Sequence, residues 1–388
     1  MSLPYANRLD RIEPFHVMEL LARARELEAV GRDIVHMEVG EPDFPTAAPV
    51  VEAGIAALRA GLTGYSQACG LPALRQALAE HYRVTSGIDL DPGRIVVTPG
   101  ASGALILAMG LLVNAGDRVL LPDPGYPCNR NFVRHVDGLP TSVPVRASHD
   151  FQPTWEELES RWQPGTVAAI LGSPANPTGT VVPERTLASV HDWLHERGAA
   201  LVVDEIYHGL VYGEELRSAL AVRDSVFVVN SFSKYFGMTG WRLGWLVVPN
   251  GYQRAAEKLA QNLFIAASTP AQHAALACFT PEAHAIFEQR RSAFRERRDY
   301  LLEALPPLGF RLPVVPRGAF YLYADASGLS ADSDAFCRQM LEQAGVAVTP
   351  GRDFGDRDAA QHVRFAYTTG LDRLHEGVER MRAWLQAG

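Results

Sequence analysis

The segment NSFSKYFGMTGWRLGW (230–245) contains the residue types with the clearest chemistry in this 388-residue chain. Lys234 lies at a polar turn after an apolar run, with Ser231 and Ser233 before it and Arg242 eight residues after it. A lysine that is partly desolvated beside another cation has a lowered pKa and can act as a Schiff-base nucleophile. Arg242 could clamp a phosphate, and the serines could donate hydrogen bonds to it. A solvated turn would explain Lys234 alone, but not the serines and the arginine.

A carboxylate follows a second apolar run. The sequence ALVVDEIYHGL (200–210) places Asp204 directly behind four apolar residues, with Tyr207 three positions later. Burying a carboxylate is costly unless a partner or a ligand charge compensates it. Asp204 is therefore either the N-cap of a helix or the counter-ion of a buried cationic ring nitrogen. The sequence of this segment does not distinguish the two interpretations.

Three further turns follow apolar runs, and each could face a ligand. The small residues GASG (100–103) open a predicted helix, where backbone N–H groups can approach a phosphate. Tyr126 stands among prolines that fix the backbone, so its ring could stack on a planar ligand. Asn176 precedes a proline, which favours an extended backbone. Each of these features, taken alone, is also typical of an ordinary turn.

The apolar runs predict the elements that position these turns. They are short, rich in β-branched residues and nearly continuous in hydrophobicity, as expected of strands buried on both faces. The runs cover 94–100, 118–124, 167–174, 200–206 and 226–233, with amphipathic helical patterns such as 71–82 and 183–197 between them. This alternation predicts an α/β fold with a largely parallel sheet. Ligands bind at the carboxyl ends of the strands in such sheets, which is where these turns lie.

Taken together, the turns match the parts of one small molecule, pyridoxal phosphate. They offer a lysine for its aldehyde, a cation and hydroxyls for its phosphate, a carboxylate for its pyridine nitrogen and an aromatic ring to stack on it. The chain has no GxxxxGK[ST] loop and no full GxGxxG motif, which counts against ATP and NAD.

The pattern of predicted helices and strands changes near Pro281. A long charged helix (about 283–305), a second helix (about 333–344), the strands VAVTP and HVRFAYT and a last helix predict a smaller α+β domain. We expect a large cofactor-binding domain over 37–282 and the small domain over 283–388. Residues 1–36 are expected to form an arm and a helix (about 15–30) that pack with the small domain.

Composition narrows the classes of function. Hydrophobic residues make up 47% of the chain and the formal net charge is −8, which favours a globular protein that binds neither nucleic acid nor an anionic membrane surface. The longest apolar run, 101–113, is too short for a membrane span of ~20 residues. The four scattered cysteines favour reduced thiols of a cytoplasmic protein over disulfides or a metal site.

The ordered motifs MEVGEPDFPT (37–46), GYSQACGLPALR (64–75), SPANPTG, DEIY and SFSK…GWRLGW resemble those of the class I/II aminotransferases. These aspartate aminotransferase-like enzymes belong to the fold-type I superfamily of pyridoxal phosphate enzymes. The resemblance covers nearly the whole chain, ending with HVRFAYTT (362–369). It implies a large domain with a mostly parallel sheet flanked by helices, plus a smaller α+β domain.

The resemblance also implies roles for individual residues. Lys234 would carry the cofactor and act as general base and acid, Asp204 would keep the pyridine nitrogen protonated, and Tyr207 would act beside them. The implied cofactor contacts come from every predicted turn and from one loop; they are Tyr65, Ala101, Ser102, Tyr126, Asn176, Asp204, Tyr207, Ser231, Ser233, Lys234 and Arg242.

Substrate contacts are implied as well. Arg364 would grip the α-carboxylate, with Gly40 and Asn176 beside it. In a homodimer with shared active sites, Tyr65 would reach the cofactor phosphate of the other subunit. The amino donor would be recognised by loops and by the N-terminal arm, with Ile12, Phe15 and His16 as candidates.

The leading hypothesis is an aminotransferase that moves an amino group from an L-amino acid to a 2-oxo acid, with 2-oxoglutarate as the expected acceptor. A β-eliminating C–S lyase on the same fold is the alternative, because it would use the same lysine. A pyridoxal phosphate-binding transcription regulator is disfavoured, since no basic winged-helix segment precedes residue 37.

One departure from the family pattern generates a prediction. Ser102 stands where dicarboxylate-specific relatives carry a lysine. We therefore expect aspartate to be a poor amino donor compared with neutral or aromatic amino acids. Steady-state kcat/KM values over a panel of L-amino acids would check this, and aspartate ranking first would contradict it.

Overall fold

A computed structural model describes residues 5–213 and 215–387 of the chain. Its helices are α1 (His16–Ala29), α2 (Ala48–Arg59), α3 (Pro72–Ser86), α4 (Gly100–Leu112), α5 (Cys128–His135), α6 (Trp155–Glu159), α7 (Glu184–His195), α8 (Ala219–Val222), α9 (Gln253–Leu263), α10 (Thr269–Leu276), α11 (Pro281–Ala304), α12 (Ser333–Gln339) and α13 (Leu371–Ala387). Within that part of the chain, no helix is both long and apolar enough to cross a membrane.

The strands fall into three sheets. They are β1 (Val35–His36), β2 (Ile95–Thr98), β3 (Arg118–Asp123), β4 (Leu139–Pro144), β5 (Thr166–Gly172), β6 (Ala200–Asp204), β7 (Phe227–Ser231), β8 (Gly244–Val247), β9 (Tyr321–Asp325), β10 (Val346–Ala347), β11 (Thr349–Pro350) and β12 (His362–Ala366). Seven of them form one sheet in the order β2-β8-β7-β6-β5-β3-β4. All neighbours in it are parallel except β8, which runs antiparallel to β2 and β7. The predicted α/β class with a mostly parallel sheet is confirmed.

The seven-stranded sheet is buried on both faces. In β6, Val202 belongs to a core with α4 and α9, whereas Leu201 and Val203 face a second core that includes α3 and α7. All three side chains are at most 1% exposed. This explains why its strands read as continuous apolar runs and not as alternating patterns.

Two strands of this sheet were not predicted, and their sequences show why. Strand β4 (LPTSVP) contains two prolines and polar residues and lies at the edge of the sheet, where prolines are tolerated. Strand β8 (GWLV) is only four residues long and starts with a glycine. The predicted strand 94–100 is also too long, because α4 already begins at Gly100.

The C-terminal part of the chain contains a separate antiparallel sheet, in the order β11-β12-β9. The first helix packs near it: Leu20, Ala24 and Leu27 of α1 share a small core with Leu341 and Ala347. Strand β1 pairs with β10, so residues 35–36 are also tied to this part of the molecule. The domain boundaries at 36/37 and 282/283 remain predictions.

Candidate functional site

The carboxyl ends of three neighbouring parallel strands form the centre of the candidate site. Gly172 at the end of β5 is in register with Asp204 at the end of β6, which is in register with Val229 of β7. The loops that follow carry Asn176, Tyr207 and Lys234, so parallel pairing brings these predicted residues to one edge of the sheet.

An anion cradle lies beside Lys234, built around two glycines. Gly100 has a positive φ of +72°, and a Cβ there would lie 2.6 Å from Nη2 of Arg242. A Cβ on Gly244 would lie 2.7 Å from the backbone nitrogen of Ala101, and Gly244 pairs with Ser231 in the sheet. Both positions must therefore be glycine for the start of α4, the end of β7 and Arg242 to meet.

The cradle combines several kinds of hydrogen-bond donor. Ser231 Oγ donates to Ser233 Oγ at 2.9 Å, and Arg242 Nη1 donates to the Thr239 carbonyl at 3.1 Å. Ala101 and Ser102 lie in the first turn of α4, whose N–H groups and dipole favour an anion. Cation, hydroxyls and helix N-terminus together suit a phosphate group.

Lys234 is half-buried next to this cradle. Its Nζ donates to the Gly40 carbonyl at 2.6 Å and lies 5.7 Å from the centre of the Phe320 ring. Burial lowers its pKa to about 8, and the guanidiniums of Arg364 and Arg242 act in the same direction. The amine is therefore far easier to deprotonate than that of an ordinary lysine.

The chain has only one other lysine, and it lies elsewhere. Lys258 is exposed on α9, away from the ends of the parallel strands. Lys234 is thus the one amine side chain at the candidate site.

The Asp204 carboxyl is 7% exposed and accepts a hydrogen bond from Ile206 N at 3.1 Å. Burial raises its pKa to about 7, although this bond and the charge of Lys234 oppose the rise. Asp204 therefore ends a buried strand without a helix to cap, and a ligand cation beside it would stabilise its charged form.

A cavity, here called the inner cavity, opens at these strand ends. Tyr126, Asn176, Asp204 and Tyr207 are among the residues that line it. The Tyr207 hydroxyl lies 2.8 Å from that of Tyr321. Burial raises the pKa of Tyr207 well above its usual value, so the phenol stays protonated and can donate a hydrogen bond.

Arg364 is buried on β12 and is held by bonds that leave part of it free. Its Nη1 donates to Asn176 Oδ1 at 2.9 Å, and its Nη2 donates to Thr349 Oγ1 at 3.2 Å. The guanidinium lies 4.3 Å from the Tyr321 ring and 4.7 Å from the Phe354 ring. Its Nε is buried without a partner among the described residues, as expected of a cation prepared for a carboxylate.

A buried aspartate, Asp123, ties the Phe354 segment to the end of β3. Its Oδ2 accepts from Ser142 Oγ at 2.7 Å and from the backbone N–H of Asp356 at 3.3 Å. Gly125 N also donates to the Phe354 carbonyl at 2.8 Å. The turn that carries Tyr126 and the segment that stacks on Arg364 are therefore held together.

Gly40 lies directly under a residue that was not predicted from sequence. A Cβ on Gly40 would lie 1.8 Å from the hydroxyl oxygen of Tyr321, so only glycine fits there. Tyr321 also contacts Tyr207 and Arg364, which makes it a connector between the cavity and the arginine. Its strand, β9, carried no motif that would have indicated this role.

Tyr65 is not brought to the inner cavity of its own chain. The backbone around it is anchored, because Thr269 Oγ1 donates to the Gly64 carbonyl at 2.6 Å and Gln272 Nε2 donates to Ser66 Oγ at 3.0 Å. The Tyr65 side chain is nevertheless 85% exposed.

The N-terminal arm reaches a second cavity, here called the mouth cavity. Phe15 and His16 are among its lining residues, and Ile12 is not. His16 N donates to Asp353 Oδ1 at 3.2 Å, which ties the arm to the segment that precedes Phe354.

The residues present fit pyridoxal phosphate. The glycine-lined cradle suits its phosphate, the single amine side chain of the site suits its aldehyde, and the buried Asp204 suits its pyridine nitrogen. Tyr126 lies on the wall of the inner cavity, together with Asp204.

Comparisons with known proteins agree with this geometry. The sequence profile of a family described as aminotransferase class I and II matches residues 32–381. The chain is 39% identical to a valine–pyruvate aminotransferase of Mycobacterium tuberculosis, over 96% of this chain and 97% of that protein. A crystal structure of an aminotransferase from the same organism superposes with a TM-score of 0.96 at 38% identity over the full length of both chains. The aspartate aminotransferase of Thermus thermophilus with maleate superposes with a TM-score of 0.92 at 35% identity, over 98% of this chain and 100% of that one. These solved structures confirm the predicted fold type.

Proposed function

Because the chain belongs to the class I and II aminotransferase family, whose members use pyridoxal phosphate, we propose that Lys234 is the catalytic lysine of an enzyme with 2-oxoglutarate as amino acceptor. The aminotransferase activity and the amino-acid and oxo-acid substrates are those of the family. The observation that carries the assignment is the half-buried Lys234, whose Nζ bonds to the Gly40 carbonyl and lies close to Arg242 of the cradle and to the Asp204 carboxyl.

When bound, pyridoxal phosphate supplies an electron sink that stabilises negative charge at the substrate Cα. The N–H groups of Ala101 and Ser102, with Ser231, Ser233 and Arg242, would hold its phosphate in the cradle. Tyr126 would stack on its ring, and Asn176 and Tyr207 would donate hydrogen bonds to its phenolic oxygen.

Two groups control protons in this proposal. Lys234 Nζ takes the proton from the substrate Cα, which its lowered pKa of about 8 permits near neutral pH. Asp204 would keep the pyridine nitrogen protonated, because a buried carboxylate strongly stabilises an adjacent cation.

Arg364 grips the substrate α-carboxylate. Its guanidinium is already fixed by Asn176 and by the Tyr321 and Phe354 rings, so little conformational entropy is lost when the carboxylate binds. Gly40 would lie close to that carboxylate, and its lack of a side chain lets the backbone pass under Tyr321.

We expect Lys234 to carry the cofactor covalently. Borohydride reduction of the holoenzyme followed by peptide mapping should find the label on Lys234, and the Lys234→Ala variant should no longer form glutamate from 2-oxoglutarate and an L-amino acid. Lys258→Ala is the matched control and should keep both the label and the activity. A label on Lys258 would contradict the assignment.

Replacing Asp204 by Ala should leave the fold intact but slow the half-reaction with an L-amino acid by about 100-fold or more, because the ring nitrogen loses its partner. The absorbance change of the bound cofactor measures this rate. Glu205→Gln is the control, since the neighbouring buried Glu205 bonds to Ser218 and Ala219 instead. A near-normal rate in Asp204→Ala with the cofactor bound would refute the role.

A homodimer with shared sites is also proposed, with Tyr65 reaching the phosphate in the partner. A phenol–phosphate hydrogen bond contributes ~1.5–3 kcal/mol, so Tyr65→Ala should weaken cofactor binding about 10–100-fold. The test is a heterodimer of one Lys234→Ala subunit and one Tyr65→Ala subunit.

If Tyr65 acts across the interface, both lesions fall in one site and the other site is intact, with wild-type affinity and turnover. If Tyr65 serves its own subunit, each site carries one lesion. A heterodimer that shows only weakened cofactor binding would therefore rule out the shared site.

A further inference from the structure

Asp123 is a buried carboxylate that the proposed function does not use. It ends β3, at the same edge of the parallel sheet at which Asp204 ends β6, and it lines the inner cavity. Its hydrogen-bond partners are neutral donors, and two of them belong to a segment from the C-terminal part of the chain.

That segment, residues 354–357, supplies two backbone donors to the carboxylate. Asp123 Oδ2 accepts from Asp356 N at 3.3 Å, and Oδ1 accepts from Arg357 N at 3.4 Å. Ser142 Oγ donates to Oδ2 at 2.7 Å from the neighbouring strand β4. Successive backbone N–H groups that face one anion form a small anion-binding site. The carboxylate therefore holds the segment, and Ser142 holds the carboxylate.

Gly355 lies directly against this carboxylate. A Cβ on Gly355 would lie 1.8 Å from Asp123 Oδ1 and 2.6 Å from Asp123 Cγ, and its three nearest atoms all belong to Asp123. The φ of Gly355 is outside the left-handed region, so its backbone conformation would accept an alanine. The contact with Asp123 is therefore what requires glycine at this position.

The residue before this glycine reaches the proposed α-carboxylate site. The Phe354 ring lies 4.7 Å from the Arg364 guanidinium, and its centre lies 6.1 Å from the centre of the Tyr323 ring. Tyr323 is the partner of Arg364 in the pairing of β9 with β12. Phe354 thus packs against both Arg364 and its strand neighbour, so a shift of its backbone would remove an aromatic contact that fixes the guanidinium.

Two further contacts hold the start of the segment. Gly125 N donates to the Phe354 carbonyl at 2.8 Å, and Arg130 Nη2 donates to the Asp353 carbonyl at 3.0 Å. Both act on the segment up to Phe354, whereas Asp123 acts on the residues after it. Loss of the Asp123 carboxylate should therefore loosen one side of the segment and leave the other side attached.

We infer that Asp123 is a positioning residue for the substrate α-carboxylate, because it holds Phe354 in place against Arg364. The inference rests on the proposed function, which assigns the α-carboxylate to Arg364. Lys234 and Asp204 would act on the bound substrate without Asp123. Asp123 should therefore govern the affinity for substrate and not the rate of reaction once substrate is bound.

L-Alanine and L-glutamate are suitable probes, because they share the α-carboxylate and differ in the side chain. Single-turnover half-reactions of the holoenzyme, followed by the absorbance of the bound cofactor, give an apparent Kd and a limiting rate for each. In Asp123→Ala both Kd values should rise by the same factor, about ten-fold, with limiting rates within about two-fold of wild type. A merely structural defect would lower the limiting rates or the affinity for the cofactor.

Gly355→Ala tests the same contact from the other side. Its methyl group would displace the Asp123 carboxylate, so both Kd values should rise about as much as in Asp123→Ala. In the double variant the clash is absent, and the rise should be no larger than in Asp123→Ala alone, whereas independent effects would multiply. If Asp123→Ala does not fold, Gly355→Ala decides the question through its own Kd values.

Asp358→Asn is the matched control. Asp358 lies on the same loop and is exposed, and it pairs with Arg357 at 3.5 Å. Asparagine tolerates the positive φ of +50° at this position. Removing this carboxylate should leave the Kd values for both amino acids unchanged.

Several results would overturn the positioning role. They are Kd values unchanged in both Asp123→Ala and Gly355→Ala, an equal rise in Asp358→Asn, effects that multiply in the double variant, and a loss of limiting rate without a rise in Kd. A rise confined to glutamate would also overturn it, because it would indicate side-chain recognition. The proposed function fails instead if the wild-type protein reacts with neither amino acid, or if Arg364→Gln leaves both Kd values unchanged.

Discussion

The site depends on burying a lysine and an aspartate at the ends of neighbouring strands without letting them pair. Lys234 bonds to a backbone carbonyl and Asp204 accepts from a backbone N–H, and among the residues that the structure describes neither forms an ion pair. Burial consequently moves both pKa values toward neutrality, to about 8 and about 7. The amine of Lys234 and the carboxyl of Asp204, which are groups normally fully charged at neutral pH, can therefore gain or lose a proton there.

Close approach of backbone segments is the second requirement, and glycine meets it. Gly100 and Gly244 let the start of α4, the end of β7 and Arg242 converge, and Gly40 lets the segment after β1 pass under Tyr321. In each case a methyl group would lie less than 3 Å from a polar atom. The cradle therefore needs glycine at positions 100 and 244 as much as it needs its hydrogen-bond donors.

Most of the site residues that lie at the ends of the parallel strands could be predicted from the sequence. Asp204, Asn176 and Lys234 could be found because each follows a buried apolar run and such runs end at one edge of the sheet. Their roles, and that of Arg364, came from resemblance to a family and remain proposals. Tyr321 could not be found, because contacts between distant segments place it and no local pattern indicates such contacts.

The residues proposed for the chemistry and those proposed for substrate specificity lie on different parts of the fold. Lys234 and Asp204 lie at the ends of strands whose apolar residues are buried in the two cores of the sheet. The N-terminal arm, in contrast, lies outside the sheet and is held to the end of α5 by a few polar contacts of Arg8. Because such surface contacts contribute little to folding stability, residues of the arm beside the mouth cavity can change at small cost to the fold. If the arm recognises the amino donor, as proposed from the family resemblance, substrate preference can change without altering the sheet, Lys234 or Asp204.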